Sequence, residues 1–105
     1  MRTFPKSLTK FRELVDERGA RLRKLSFNDL RKLEHAPIER INFDNRPATI
    51  GIVVQPQPDG GIRVVVQGFM KARWLFGQHV ALDGFYKRRD ETVTPMPNEE
   101  FYEFD

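Results

Sequence analysis

Two histidines, His35 and His79, are the side chains of this sequence best suited to proton transfer near neutral pH. His35 follows a predicted helix, where an imidazolium complements the helix dipole and has a structural role. His79 is followed by Asp83 and Tyr86 on a predicted strand. Residues 79 and 83 would lie about 13 Å apart along that strand, so His79 needs an orienting partner from another element. An enzyme centred on His79 is therefore the least favoured of three functional hypotheses.

Other groups that could act as nucleophile, acid, base or metal ligand show no convergent spacing. Cysteine is absent, which excludes disulfides, thiolate zinc sites and a cysteine nucleophile. Adjacent carboxylates occur at Asp16-Glu17, Asp90-Glu91 and Glu99-Glu100, each among solvated charges. Asp59-Gly60-Gly61 lacks the Gly-Lys-Ser/Thr ending of a phosphate-binding loop. We therefore expect no catalytic residue, no metal site and no cofactor.

Positive charge is densest around the link between two predicted helices. The chain carries a net charge of +3, and its last residues are acidic. Clustered cations can follow a phosphate backbone, so six of them are the candidate nucleic-acid-binding residues. They are Arg18, Arg21, Arg23, Lys24, Arg31 and Lys32. The competing interpretation is a solvated surface, because Asp16, Glu17, Asp29 and Glu34 dilute the cluster.

A second cationic strip is predicted on one face of the strand that follows residue 61. It contains Arg63, Gln67, Lys71 and Arg73, interleaved with Val65 and Phe69. If this face is exposed, the strip combines cations with one ring on which a base could stack. If the helices cover it, Val65 and Phe69 belong to the core and the charged ends reach solvent.

Aromatic residues in predicted loops and in the C-terminal tail are the candidate protein contacts, because rings are enriched in interface cores. They are Trp74, Phe76, Phe85, Tyr102 and Phe104. The favoured function is thus a small non-catalytic protein-interaction module that binds another protein or a second copy of itself. Nucleic-acid binding is the alternative.

The elements that position these residues begin with two helices. Apolar residues spaced three and four apart predict a helix over residues 8–18, which Gly19 would end. Ser26 and Asp29 approximate a capping box at the start of a second helix. Pro37 disfavours helix at the preceding residue, so this helix should end near residue 34 or 35.

After Pro37 the hydrophobic period changes to two, which is typical of strands. Two β-branched segments, at about 48–55 and 62–74, flank an Asp-Gly turn and predict an antiparallel hairpin. Gly68 is the place for a bend or bulge in the second segment, and we favour a bend because the alternation keeps its register. Further strands are predicted around residues 41–43, over 80–87, where Val80, Leu82 and Tyr86 alternate with Asp83 and Lys87, and over 92–96. Asn98 should start a final helical turn.

The order of these elements predicts one α+β domain over residues 1–105. Two N-terminal helices should pack on one face of a four- to five-stranded antiparallel meander, with Ile52 and Val64 among the core residues. The alternative is a strongly bent half-barrel, suggested by Gly51, Gly68, Gly77 and Gly84. The first residues resemble no signal peptide, and no apolar run reaches the ~20 residues of a membrane span, so we expect a cytoplasmic protein without a membrane partner.

Overall fold

The computed structural model describes residues 6–43, 45–71 and 78–104. Two helices come first, α1 (Lys6–Arg23) and α2 (Phe27–Arg31). The strands follow as β1 (Glu39–Phe43), β2 (Arg46–Pro56), β3 (Ile62–Lys71), β4 (Gln78–Lys87) and β5 (Val93–Pro95), and a 3-10 helix spans Asn98–Phe104. Over the described residues these strands form one antiparallel sheet in the order β1-β2-β3-β4-β5, which is not closed. The predicted α+β meander is confirmed.

Helix α1 is longer than predicted, because it continues through Gly19 to Arg23. A Cβ atom built on Gly19 would overlap the carboxylate of Asp83, which lies on β4. Glycine therefore gives this helix a close approach to the sheet, and it does not supply the left-handed ending that we predicted from local sequence.

Helix α2 begins where the sequence predicts. The Ser26 side chain caps it by accepting a hydrogen bond from the Asp29 N–H at 3.1 Å. The Phe27 N–H donates to the carboxylate of Glu91 at 2.9 Å, so a residue 64 positions away completes the cap. Glu91 adopts a left-handed φ of 73° in the turn before β5. The helix ends at Arg31 and is followed by turns through residue 35.

The predicted hairpin joins β2 and β3 through an Asp-Gly turn. Gly60 has a φ of 89°, and the Gly61 N–H donates to Oδ1 of Asp59 at 2.9 Å. The pairing of β3 with both neighbours continues through Gly68 without a bulge. A Cβ atom at Gly68 would lie 2.6 Å from Cγ2 of Val15, so this glycine admits α1 to the sheet.

The helices cover one face of the sheet, which we call the inner face; the opposite one is the outer face. Alternate residues of β2 and β3 point inward and pack against α1 and α2. The central members of this core are Phe11, Val15, Leu30, Ile50, Val54, Val64, Val66 and Met70. Val64 is fully buried as predicted, whereas Ile52 is partly buried at the margin.

The inner face of β4 differs from the alternation that the sequence suggests. The register pairs Phe85 with Val64 and Ala81 with Gly68, so Phe85 and Ala81 are the buried residues of this strand. Asp83 and Lys87 share that face. Val80, Leu82 and Tyr86 consequently lie on the outer face, because successive side chains of a strand point to opposite sides.

Candidate binding surface on the sheet

Charged groups on the inner face tie α1 to β4. The Arg23 guanidinium donates to both carboxylate oxygens of Asp83, at 2.6 and 3.0 Å, and lies 4.8 Å from the centre of the Phe85 ring. Lys87 is only 5% exposed, and its ammonium donates to the Arg23 carbonyl at 3.4 Å. The Arg23–Asp83 pair and the Lys87 hydrogen bond at the C-terminal end of α1 position the last turn of this helix on the sheet.

Two groups of α1 near Asp83, Arg23 and Asp16, have shifted pKa values. The hydrogen bonds to Asp83 raise the pKa of Arg23. Desolvation, followed by the nearby Asp83 charge, raises the pKa of the Asp16 carboxyl. Ionisation of Asp16 is therefore less favourable in the folded protein than in the unfolded chain. Asp83, in contrast, has the Arg23 guanidinium as its partner.

The six cations predicted as a nucleic-acid cluster are largely paired with carboxylates. The ion pairs are Arg18–Glu39, Arg21–Glu17, Arg23–Asp83 and Lys32–Asp29. Lys24 and Arg31 are exposed, and neither makes an ion pair with another described residue. The positive charge that looked densest in sequence is thus mostly compensated by its neighbours in the fold.

The aromatic candidates are distributed over different parts of the molecule. Phe85 is 0% exposed in the core, so the prediction that it lies in a contact loop is wrong. Its position on β4 opposite Val64 is the reason. Trp74 and Phe76 lie outside the described residues. Tyr102 and Phe104 belong to the 3-10 helix, and their side chains are outside the description.

The structure does not bring the proposed catalytic residues together. His79 lies on the inner face opposite Met70, while Tyr86 lies on the outer face. Asp83 is engaged by Arg23, and His35 is exposed in the turn after α2. In the described ranges, no group of three or more His, Asp or Glu residues is placed to hold a metal ion, and no helix is long and apolar enough to cross a membrane.

Residues 96–100, which we call the C-terminal segment, cover one end of the outer face. Arg63 donates to Oε1 of Gln55 at 2.9 Å and to Oε1 of Glu100 at 2.8 Å, and the Tyr86 hydroxyl donates to the same Glu100 oxygen. Met96 packs over Gly84, where an added Cβ would lie 3.0 Å from its sulfur. Val65 is 0% exposed at this end. Arg63, a member of the predicted strip, therefore helps to hold the segment in place.

Titration of this network follows from its hydrogen bonds. The Tyr86 hydrogen bond, followed by Arg63, lowers the pKa of Glu100. Desolvation and the Glu100 carboxylate raise the pKa of Tyr86. Glu100 is thus an ionised acceptor that joins the 3-10 helix to β3 and β4.

The other end of the outer face is open and concave. A region of about 710 Å³ lies there at the β1–β2–β3 end of the sheet, and its described lining is Arg40, Ile41, Asn42, Pro47, Ala48, Thr49, Phe69 and Lys71. The open surface is our name for five of these residues that lie on the outer face, namely Arg40, Asn42, Thr49, Phe69 and Lys71. The register places Arg40 opposite Thr49 and Thr49 opposite Phe69, so these three form a row across β1, β2 and β3. Neighbouring strands are about 4.8 Å apart, which puts the Arg40 and Phe69 backbones roughly 10 Å apart.

The open surface is cationic. Arg40 and Lys71 are exposed, and neither forms an ion pair with another described residue. No carboxylate is among the described residues that line the concave region. Phe69 and Thr49 are half-buried between the two cations. An anionic ligand would find two charges, one ring and the polar groups of Asn42 and Thr49 on the same face.

The sequence indicated only part of this surface. Lys71 and Phe69 belong to the strip predicted on β3, and the helices leave that face uncovered. Arg40, Asn42 and Thr49 come from β1 and β2, and only the register between strands brings them beside Phe69. An alternating strand pattern fixes the faces of one strand, but it does not fix which residues of the next strand are opposite.

Comparison of the chain with protein-family models, with curated proteins and with solved structures finds no match.

Proposed function

We propose that this protein is a non-catalytic binding module and that the open surface holds an anionic partner. The observation that carries the proposal is the charge of this surface: Arg40 and Lys71 flank Phe69, and no carboxylate lies among its described lining residues. Concave regions of roughly 300–1,000 Å³ are the usual size of ligand sites. Cations without a counter-charge attract anionic partners and orient them during encounter.

The use of the carboxylates supports a non-catalytic role. Asp83 accepts from Arg23, Glu100 accepts from Arg63 and Tyr86, and Glu91 caps α2. Each of these groups joins two elements of the fold. A general acid or base needs a hydrogen-bonding position toward substrate, and these three carboxylates already use theirs within the protein.

The surface formed by the cations of α1, α2 and the link between them is the weaker candidate for the binding surface. Four of its six predicted cations are paired with carboxylates, and these pairs compensate their charge. Lys24 and Arg31 remain as exposed cations on that side. They provide a matched control, because replacing them removes the same charge as replacing Arg40 and Lys71.

The test compares two double variants as affinity baits in cytoplasmic extract, the compartment that the sequence predicts. Arg40→Ala with Lys71→Ala should lose the partner that the wild-type protein retains, whereas Lys24→Ala with Arg31→Ala should keep it. Both should melt near the wild-type temperature, because exposed charges contribute about 0–1 kcal/mol to stability. Parallel nuclease-treated extracts identify a nucleic-acid partner, and light scattering reports a second copy. Undiminished retention by the Arg40 and Lys71 variant would contradict the proposal.

A further inference from the structure

We infer that the open surface binds single-stranded nucleic acid, with a base stacked on Phe69 and phosphates held by Arg40 and Lys71. The inference rests on the proposed function, since it names the chemical class of partner for the same surface. It also moves the preferred partner away from protein, the class favoured by sequence, because an aromatic ring lies between the cations of this surface.

The aromatic ring of Phe69 is the feature of the open surface that favours a nucleic acid over other anions. Phe69 is half-buried at the floor of the concave region, and Val80 lies directly opposite it on β4. This pair gives an apolar platform in the middle of a cationic surface. An acidic peptide would satisfy the charges, but its carboxylate side chains carry no ring, whereas every nucleotide combines a phosphate with a base whose face stacks on an aromatic ring.

The cations stand at distances that suit a backbone passing beside a stacked base. Arg40 is two strands from Phe69, about 10 Å between backbones, and Lys71 lies two residues farther along β3, about 7 Å away. Both side chains are exposed and long enough to approach phosphates on two sides of the ring. Asn42 adds an amide with both donors and an acceptor, which can meet the edge of a base.

The position of the ring favours single strands over duplex. Phe69 lies on the sheet itself and is half-buried, so it can contact the face of a base only when that base is unstacked from its neighbours. A duplex presents phosphates and groove edges, and it would leave the ring unused. We therefore expect binding to single-stranded DNA and RNA to exceed binding to a duplex of the same composition.

The experiment measures the fluorescence anisotropy of a labelled mixed-sequence oligonucleotide of about 16 nucleotides, as DNA and as RNA, with a hairpin duplex and polyglutamate as competitors. Salt is varied between about 50 and 300 mM. Two neutralised phosphates predict a slope of about −1.4 in a plot of log affinity against log salt. Arg40→Ala with Lys71→Ala should remove most of that slope, and Lys24→Ala with Arg31→Ala should leave it unchanged.

Phe69→Leu tests the stacking separately from the charges. Loss of one stacked base should weaken binding about 5- to 150-fold with the salt slope unchanged. Phe69→Tyr keeps an aromatic ring and should bind with wild-type affinity. The melting curves of both variants show whether Phe69→Leu weakens binding through an effect on folding.

Three results would overturn the inference: no binding to either single strand at the lowest salt, equal binding to the duplex, or wild-type affinity in Phe69→Leu. If polyglutamate competes fully and Phe69→Leu has no effect, the partner is an acidic protein; the proposed function then stands and the nucleic-acid inference fails. If the Arg40 and Lys71 variant binds oligonucleotide as the wild type does, the open surface is not the nucleic-acid site and the inference fails. If that variant also retains the extract partner, the proposed function fails as well.

Discussion

Gly19 allows a carboxylate to take the place of a side chain on helix α1. The Asp83 carboxylate, bonded to Arg23, occupies the space that a Cβ atom at Gly19 would fill. The close packing of α1 on β4, and with it the Arg23–Asp83 ion pair, therefore requires a residue without a Cβ atom at position 19. Nothing within α1 itself reveals this, because Asp83 lies 60 residues from Arg23 in the chain.

The first prediction is that Gly19→Ala destabilises the protein by about 1–3 kcal/mol, since the methyl group must displace Asp83 or the helix. At an ordinary interior helix position the same change stabilises by up to about 1 kcal/mol. Urea unfolding gives the sign. Ala20→Gly, at the exposed neighbouring position, measures the effect of helix propensity alone, and a Gly19→Ala protein more stable than the wild type would contradict the packing described.

The second prediction concerns two carboxylates with opposite effects on stability. Asp83→Asn should destabilise the fold, because it leaves the part-buried Arg23 without its counter-charge. Asp16→Asn should stabilise it near neutral pH. The pKa of Asp16 is raised by desolvation and then by Asp83, so its ionised form is disfavoured in the folded state.

The sign for Asp16 can be checked with pH. A carboxyl with a raised folded-state pKa favours folding below its unfolded pKa, and that contribution is lost as pH rises through the folded value. The advantage of Asp16→Asn should therefore shrink as pH is lowered through the carboxyl range. Glu34→Gln removes the same charge from an exposed position after α2, away from the groups that shift the pKa of Asp16, and serves as the control. Urea curves in which Asp16→Asn is destabilising at every pH would refute this description of the site.

The 3-10 helix Asn98–Phe104 illustrates how a short element is held by side chains rather than by its own length. Glu100 accepts hydrogen bonds from Tyr86 and Arg63, and Phe101 is half-buried beside them. Three rings within four residues, Phe101, Tyr102 and Phe104, are a composition that favours packing on the body of the protein over a disordered tail. The partial burial of Phe101 agrees with this, and the side chain of Phe104 lies outside the description.

The third prediction is that acid releases this element. The pKa of Glu100 is lowered by the Tyr86 hydrogen bond and then by Arg63, so the contact contributes stability above the ordinary carboxyl pKa and loses it as pH falls through the lowered value. Hydrogen exchange of amides 99–101, corrected for intrinsic rates, should accelerate relative to the core strands across that range. Glu100→Gln should show the faster exchange at neutral pH. Unchanged protection in this variant would mean that the ionised carboxylate does not hold the helix.

At the scale of elements, local sequence was sufficient for most of the fold. Period-2 alternation and the Asp-Gly turn gave the strands, and Ser26 gave the start of α2. The errors fall where residues far apart in the chain meet. Helix α1 continues through Gly19, where it approaches Asp83 of β4. Strand β4 places Phe85 on the inner face together with Asp83 and Lys87, which contact the end of α1. The open surface was only half predicted, because Arg40 and Thr49 reach Phe69 through strand register.

On the scale of the whole molecule, the two faces of one sheet have different uses. Helices close the inner face around a continuous core, and the C-terminal segment covers one end of the outer face. The remaining end carries exposed cations around a half-buried ring. Substitutions on the two faces should therefore separate stability from binding.

The fourth prediction makes that separation with two aspartates. Val64→Asp should prevent folding, because a buried unpaired carboxylate costs several kcal/mol in a domain whose total stability is about 5–15 kcal/mol, and Val64 is 0% exposed. Ile52 belongs to the core that the sequence predicts, but Ile52→Asp should be milder because Ile52 is only partly buried. Thr49→Asp on the open surface should fold and fail to bind oligonucleotide. A cooperative Val64→Asp melt near the wild-type temperature would refute the core assignment.

The location of the ligand is measured most directly by amide chemical shifts of labelled protein during titration with a single-stranded oligonucleotide. The largest changes should fall on Arg40, Thr49, Phe69 and Lys71, with Lys24 and Arg31 nearly unaffected. Changes centred on α1 and α2, with the β1–β3 amides unmoved, would contradict the assignment of the outer sheet face as the binding surface.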